Sequence, residues 1–252
     1  GRFPIFLANL PETIPAKFVD QQCGSAMAAI QIGFMEIAQD FADVVMVGGY
    51  EHMTRIPMGG YTTERGLIAP NMTLFLYPSH QHWDMMKAMN MGMTAEKLFS
   101  QTDLSKEDLD RWAVRSHQLA AKFQKEGFFD GEIMSIEAPQ DDGTVMTVDK
   151  DQAVRGDTTL EGIEGLRPAF KKDGVITAGN SSPLNAGASS MMLMSKETAK
   201  KKGIKPLATI RSIGFAGVDP TIMGAGPVPA SRKALEKAGL KASDIDFWEI
   251  NE

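Results

Sequence analysis

A segment with helical spacing, followed directly by an apolar strand segment, is the feature that most constrains the fold of this chain. Residues 25–41 place apolar side chains at intervals of three and four, the spacing of one helix face. The sequence DVVMVGG, residues 43–49, follows at once and is almost continuously apolar, which is typical of a strand covered on both faces. Because such strands need helices to cover them, this succession predicts an α/β fold.

A second helix is predicted by its end signals. Ser105, followed three residues later by Asp108, has the pattern of a capping box, and Gly127 is a typical residue at which a helix ends. We therefore expect a helix over residues 105–126. Its expected buried stripe consists of Leu109, Trp112, Ala113, Ser116, Leu119, Ala120 and Phe123.

The remaining predicted elements are shorter. Residues 132–138 and 144–149 predict two strands around the turn sequence DDG. A strand is expected near residue 175, followed by a Gly/Ser/Asn turn and an apolar Met-rich run. The end of the chain predicts a strand at 208–215, a helix at 229–238 that stops at Gly239, and a strand at 246–250.

Composition excludes several classes of protein. With 43% hydrophobic and 23% charged residues, the chain has the composition of an ordinary globular protein. No apolar run approaches the roughly 18 residues that span a bilayer, so we expect no membrane span. The net charge of −6 argues against a nucleic-acid surface, and a single cysteine excludes internal disulfides, as suits a reducing compartment such as the cytoplasm.

Cys23 is the candidate reactive atom. It lies just before the predicted helix at 25–41, where unpaired backbone N–H groups and the positive end of the helix dipole favour a thiolate. A lone cysteine is also commonly a small buried hydrophobic residue. The position of Cys23 by itself leaves both interpretations open.

Histidine patterns do not favour other chemistries. His80 and His82 form an H-x-H pair, but no third ligand follows at metal-binding spacing, so no metal site is predicted. His117 could serve a Cys/His hydrolase. It lies on the predicted helix at 105–126, where we expect it to be a surface residue.

Seven motifs follow one another along the chain: QQCGSAMAAI, VVMVGGYEHMT, MGMTAEKL, LRPAF, TAGNSSPLNAGAS, DPTIMGAGPVPASRKAL and WEINE. In this order they resemble the motifs of the thiolases, the acyl-CoA C-acyltransferases. The resemblance implies that Cys23 attacks a 3-ketoacyl-CoA and carries the shortened acyl group as a thioester, which free CoA then takes up. The reverse reaction is a Claisen condensation. Glycine and serine beside the cysteine would leave backbone N–H groups accessible to an oxyanion.

The resemblance also implies the other site residues. Asn251 is similar to the family asparagine that holds a water for the enolate. Arg155 resembles the arginine near the CoA nucleotide, and Ser182 the serine that hydrogen-bonds the pantetheine arm. The arm would also be flanked by Ala178, Met91 and Phe170. Coenzyme A is the implied substrate, with no metal or prosthetic group.

The sequence departs from the family pattern at two positions. Asn90 stands where short-chain acetoacetyl-CoA thiolases often have histidine, which favours a degradative enzyme with longer acyl substrates. Ala186 stands where many thiolases have aspartate, and this removes an acceptor at a helix start without touching a chemical step.

The implied fold has two related halves, each with a mixed five-stranded sheet and helices in layers. Residues 1–55 and 176–204 would form the N-terminal half, residues 56–175 an inserted loop domain over the active site, and residues 205–252 the start of the C-terminal half. A homodimer or homotetramer is expected, with further subunits in some multienzyme assemblies. In a eukaryote the implied location is the mitochondrial or peroxisomal matrix.

Two alternatives stay open at this point. One is a condensing enzyme of the ketoacyl-synthase type, which the sequence INE argues against. The other is a non-catalytic subunit that binds acyl-CoA or serves as a scaffold. The family's N-terminal strands, its Gly-His-Pro histidine and its Cys-x-Gly cysteine do not occur in these 252 residues. We therefore expect the chain to be an excerpt that is inactive by itself.

Overall fold

The computed structural model describes residues 1–53, 61–63, 66–68 and 84–251, of which 61–63 and 66–68 are described by their backbone alone. The helices of this part are α1 Phe3–Leu7, α2 Ser25–Ala38, α3 Met85–Ala88, α4 Met91–Phe99, α5 Lys106–Lys125, α6 Leu160–Ile163, α7 Lys196–Lys201 and α8 Pro227–Ala238. The strands are β1 Val44–His52, β2 Tyr61–Thr63, β3 Gly66–Ile68, β4 Ile136–Pro139, β5 Val145–Val148 and β6 Ala186–Met194. Short 3₁₀ turns cover Gln22–Gly24, Pro220–Ala225 and Ala242–Asp244.

All strand pairs in the described residues are antiparallel. β1 pairs with β6 over its full length, from Val44 opposite Met194 to His52 opposite Ala186. The hairpins β2–β3 and β4–β5 form the other two sheets. The described residues therefore form three sheets of two strands each.

Helix α2 packs closely on the β1–β6 sheet. A Cβ atom added at Gly33 would lie 2.9 Å from Val47 Cγ1 and 3.2 Å from Leu193 Cδ1, so only glycine allows this approach. Val47 is buried beneath the helix, whereas Met46, which points to the other face of the strand, is 63% exposed. The prediction that β1 is fully buried is therefore wrong, because in the described residues a helix covers one face only.

Helix α5 confirms the predicted end signals. Ser105 accepts from the backbone N–H of Asp108, and the Asp108 carboxylate accepts from the Ser105 N–H, which completes the capping box. The chain leaves the helix at Gly127, whose φ of +72° is a left-handed conformation that favours glycine. The predicted strand pair after it is also present as β4 and β5, with Gly143 at φ +82° in the turn.

The predicted buried stripe of α5 is partly wrong. Trp112 is 61% exposed, with the Arg115 guanidinium 4.8 Å from its ring centroid. Asp110 is instead the most deeply buried residue of the helix. Ser116 is exposed as well, whereas the other five residues of the predicted stripe are part-buried.

The predicted strands outside these sheets are not formed. Residues 208–215 and 246–250 belong to none of the strand pairs of the described residues, and Phe247 and Ile250 are exposed. Near residue 175 only an isolated bridge between Pro168 and Thr177 forms. An apolar run becomes a strand only when a neighbour supplies ladder hydrogen bonds, so the apolar pattern alone predicted too much.

The chain divides into two compact units. The first comprises the described part of residues 1–70 together with 184–213 and 237–239, and the second comprises the described part of 71–183 together with 214–236 and 240–251. The first unit contains α2 and the β1–β6 sheet. The second contains α3–α6 and the β4–β5 hairpin.

Candidate active site

Cys23 lies in the 3₁₀ turn Gln22–Gly24 that leads directly into α2, and it is exposed. The Ser25 side chain ties this turn together, since its Oγ accepts from the Gln21 N–H at 2.8 Å and donates to the Gln22 carbonyl at 2.7 Å. Gly24 precedes α2 and offers no side-chain cap to the first turn. The N–H groups at this end can therefore serve a negatively charged oxygen of a ligand.

The residue before Cys23 has a strained backbone. Gln22 has a φ of +51°, in the left-handed region that non-glycine residues rarely adopt. Such a conformation costs about 1–3 kcal/mol and occurs preferentially at functional sites. Asp20 Oδ1 accepts from the Gln22 N–H at 3.0 Å and so helps to hold the strained residue in place. An exposed thiol next to a strained residue has the features of a positioned nucleophile.

Met91 and Phe170 lie at the start of α4. Asn90 caps this helix by accepting from the Met93 N–H at 3.1 Å. The Phe170 ring lies against the backbone of Gly92, where a Cβ atom would overlap the ring atoms. Met91 and Phe170 are both exposed, and the Phe170 ring contacts the residue that follows Met91.

Ala178 and Ser182 lie on the loop formed by residues 174–182, and both are exposed. The buried Glu96 of α4 binds this loop, since its Oε1 accepts from the Val175 and Ile176 N–H groups at 2.8 and 2.9 Å. The Ala169 N–H donates to the Ile176 carbonyl at 2.8 Å, which joins the loop to the segment that ends at Phe170. Sequence reasoning missed Glu96, although an acidic residue among the apolar positions of α4 was a usable signal.

Arg155 lies on an exposed loop whose backbone is hydrogen-bonded to side chains of α5. The Arg155 N–H donates to His117 Nδ1 at 3.2 Å, and Gln118 Nε2 donates to the Thr158 carbonyl at 3.1 Å. His117 lies on α5 as expected, and its half-buried ring accepts this hydrogen bond. The guanidinium of Arg155 remains exposed and accessible to a phosphate.

Asn251, the second predicted catalytic residue, is exposed and follows the segment 246–250. It belongs to the second compact unit, whereas Cys23 belongs to the first. The structure thus groups Met91 with Phe170 and Ala178 with Ser182, within the second unit.

Asp219 links the 3₁₀ turn Pro220–Ala225 to α4. The Thr221 hydroxyl donates to Asp219 Oδ1 at 2.6 Å and the Thr221 N–H at 2.8 Å, and the Lys97 ammonium lies 3.2 Å from Oδ2. The Thr221 hydrogen bonds lower the pKa of Asp219 below its ordinary value of 3.8, and Lys97 adds to the effect.

The described part of the chain contains neither a metal-binding cluster nor a membrane-spanning helix. No cluster of three or more His, Cys, Asp or Glu side chains that could bind a metal occurs there. His80 and His82 lie outside the described residues. None of the described helices has both the length and the apolar character needed to cross a bilayer.

Comparisons with known proteins cover nearly the whole chain. Residues 2–197 match the family described as "Thiolase, N-terminal domain", and residues 204–252 match "Thiolase, C-terminal domain". A 3-ketoacyl-CoA thiolase of Hahella chejuensis is 44% identical over 248 residues, which are 98% of this chain and 60% of that protein.

Two solved structures have the same fold. Human mitochondrial 3-ketoacyl-CoA thiolase is 35% identical with a TM-score of 0.82, over 96% of this chain and 61% of that one. An acetyl-CoA acetyltransferase from Syntrophomonas wolfei is 34% identical with a TM-score of 0.85, over 100% of this chain and 63% of that one. The chain spans about three fifths of the length of the curated relatives it matches.

Proposed function

This chain belongs to the thiolase family and has its α/β fold, and on that premise we propose that it is part of an acyl-CoA C-acyltransferase. The proposed reaction cleaves a 3-ketoacyl-CoA with CoA into acetyl-CoA and an acyl-CoA shortened by two carbons. The matched relatives carry the names 3-ketoacyl-CoA thiolase and acetyl-CoA acyltransferase, which support this reaction class.

The proposed chemistry proceeds in two balanced steps. The Cys23 thiolate attacks the ketone carbon of the 3-ketoacyl-CoA, the bond between carbons 2 and 3 breaks, and the acetyl-CoA enolate leaves and takes up a proton at carbon 2. The thiolate of free CoA then attacks the acyl-Cys23 thioester, so that the shortened acyl-CoA leaves and the Cys23 thiolate is restored. Asn251 would hold a water for the enolate oxygen.

The observation that carries this proposal is the environment of Cys23. The thiol is exposed, follows a strained residue and precedes an α2 terminus without a side-chain cap. Backbone N–H groups at such a terminus can stabilise the oxyanion that forms when the thiolate attacks a carbonyl. A buried cysteine with a packing role would need none of these features.

The proposed binding track for CoA uses the exposed residues of the second unit. Arg155 would contact the nucleotide and its phosphates, because a guanidinium both stacks on a base and pairs with phosphate. Ser182 and Ala178 would contact the pantetheine arm, and Met91 and Phe170 would supply the apolar surface beside it. The proposal needs CoA as co-substrate and no resident cofactor.

The same proposal extends to assembly and location. We place the protein in the cytoplasm, or in the mitochondrial or peroxisomal matrix of a eukaryote, as a homodimer or homotetramer with possible multienzyme partners. Size-exclusion chromatography with light scattering measures the oligomer directly, and a monomeric protein at working concentration would refute the assembly.

Thiolysis of a series of 3-ketoacyl-CoA substrates tests the proposed reaction. The gene product that carries these 252 residues is assayed at its natural length, by the loss of the 3-ketoacyl-CoA enolate absorbance when CoA is added. Cys23→Ala should reduce the rate to background, whereas Ser116→Ala on the exposed face of α5 should not change it. Binding of acyl-CoA without turnover by the wild-type protein would favour the non-catalytic alternative, and condensation with malonyl thioesters the ketoacyl-synthase type.

A further inference from the structure

A buried polar cluster lies behind the loop of residues 174–182. Asp110 on α5 is 1% exposed and Thr177 on the loop is 0% exposed, and these are the largest fully buried side chains of the described residues. Neither belongs to the residues proposed for chemistry or for CoA contact. Burying a carboxylate is costly, and apolar residues of similar size would often give equal stability, so such a group suggests a role in fixing one conformation.

Asn180 makes one hydrogen bond to α5 and two within the loop. Its Nδ2 donates to Asp110 Oδ1 at 2.9 Å and to the Val175 carbonyl at 2.9 Å, while its Oδ1 accepts from the Thr177 N–H at 2.8 Å. The amide is planar, so these bonds fix the backbone at residues 175 and 177 relative to the helix. A hydrophobic residue at position 180 could pack there but could not impose this geometry.

Asp110 is held in turn by Lys106. The Lys106 ammonium pairs with the Asp110 carboxylate and also donates to the Glu164 carbonyl at 3.0 Å. The pair compensates the buried charge and keeps Asp110 as a fixed acceptor for Asn180. The cluster thus rests on one turn of α5 and on the end of α6.

Thr177 extends this hydrogen-bond network towards the end of the loop. Its Oγ1 accepts from the Gly179 N–H at 3.2 Å, and its carbonyl accepts from the Ser181 hydroxyl at 2.6 Å. Together with the two N–H groups bound by Glu96, these contacts fix the loop backbone on both sides of Ala178 and up to the residue before Ser182. The exposed residues of the loop are therefore held in position by hydrogen bonds to the polar side chains behind the loop.

We propose that Asp110 and Asn180 are positioning residues that hold the loop of residues 174–182 in the shape that binds the pantetheine arm of CoA. This inference rests on the proposed acyl-CoA function and names residues that serve it without touching substrate. A preorganised loop binds more tightly because its ordering cost is not paid on binding.

The test compares two thioesters on the natural-length gene product. The 3-ketoacyl-CoA substrate has the full pantetheine arm, whereas the matching N-acetylcysteamine thioester keeps only its sulfur end. Asn180→Ala and Asp110→Ala should each raise the KM for the CoA thioester about tenfold, the factor that corresponds to one ordinary hydrogen bond, with kcat changed less than about twofold. The KM for the short thioester should not change.

Matched variants separate positioning from general loss of stability. Asp110→Asn keeps an oxygen acceptor for Asn180 and should restore most of the KM. The Asp110→Ala/Asn180→Ala double variant should be no worse than Asn180→Ala alone, since Asn180→Ala already removes the hydrogen bond to Asp110. Arg111→Ala changes an exposed neighbour on α5, and Ala199→Gly destabilises the other compact unit. Neither should change the KM ratio of the two thioesters, even if Ala199→Gly lowers the melting temperature.

The possible results lead to different conclusions. An equal KM increase with both thioesters, or an unchanged KM for the CoA thioester in an active enzyme, overturns the positioning role and leaves the proposed function intact. A wild-type protein that transfers no acyl group overturns the proposed function, and the positioning inference with it.

Discussion

Gly92 makes the contact between α4 and Phe170 possible, and Gly92→Ala is the sharpest test of that packing. A Cβ atom at this position would overlap the Phe170 ring, so the ring must leave its site. Phe170 is 43% exposed and can move outward, which means that the backbone of α4 need not be distorted.

Two opposing contributions set the size of the effect. A little over half of Phe170 is covered, or about 100 Å² of an aromatic side chain, whose burial is worth about 2.5 kcal/mol. Replacing glycine by alanine in a helix contributes about 1 kcal/mol in the other direction. The loss should therefore exceed the gain by about 1.5 kcal/mol, which corresponds to a melting temperature lower by about 3–6 °C.

Thermal unfolding of four variants measures this balance. Gly92→Ala should destabilise the wild-type protein, but in a Phe170→Ala background the same change should stabilise it by about 1 kcal/mol, because the obstructing ring is gone. Gly165→Ala is the control, since a Cβ atom there meets no atom within 4 Å. If Gly92→Ala raises the melting temperature with Phe170 present, the ring does not lie on α4.

Three further predictions concern caps and loop anchors. Ser105→Ala should cost about 1 kcal/mol of unfolding free energy by removing the cap of α5, measured by urea denaturation with Ser116→Ala as the control. Because the folded-state pKa of Asp219 lies below its ordinary value of 3.8, its stabilising contribution is complete above that pH and is lost as the pH falls further. Asp219→Asn should therefore reduce the acid dependence of the denaturation midpoint, and an unchanged dependence would contradict this origin. His117→Leu should raise the KM for CoA several-fold by releasing the Arg155 loop, whereas His117→Asn, which keeps an acceptor, should not; equal effects would show that the hydrogen bond is unimportant.

Sequence signals were sufficient to predict those structural features that depend on residues close together in the sequence. The capping box of Ser105 and Asp108 and the left-handed glycines at 127, 143 and 239 mark element ends that the structure confirms. These features depend on a few consecutive residues, so their physics is contained in the sequence pattern.

Features that depend on distant partners were predicted less well. The apolar runs at 208–215 and 246–250 have strand composition but belong to no strand pair of the described residues. Asp110 was overlooked because its partner, Asn180, lies 70 residues away, although Lys106 one turn earlier offered a hint of an ion pair. Hydrophobic periodicity identifies the apolar face of a helix. It does not indicate that a carboxylate is buried because it is hydrogen-bonded.

The site predictions divide in a similar way. The position of Cys23 before α2 followed from the helical spacing of residues 25–41, and the structure places it there, exposed. The strain at Gln22 and the anchoring of Arg155 by His117 could not be predicted, since each depends on backbone geometry that side-chain patterns do not encode. The roles of Asn251 and of the CoA-binding residues remain predictions.

Peptide mapping of a trapped acyl-enzyme tests the central claim most directly. The natural-length protein is incubated with a 3-ketoacyl-CoA in the absence of free CoA, quenched in acid, digested and analysed by mass spectrometry. We predict that the peptide containing Cys23 gains the mass of one acyl group and that added CoA removes it. An acyl group that persists undiminished in Cys23→Ala, or that maps to another peptide of the wild-type protein, would contradict the assignment of Cys23 as the nucleophile.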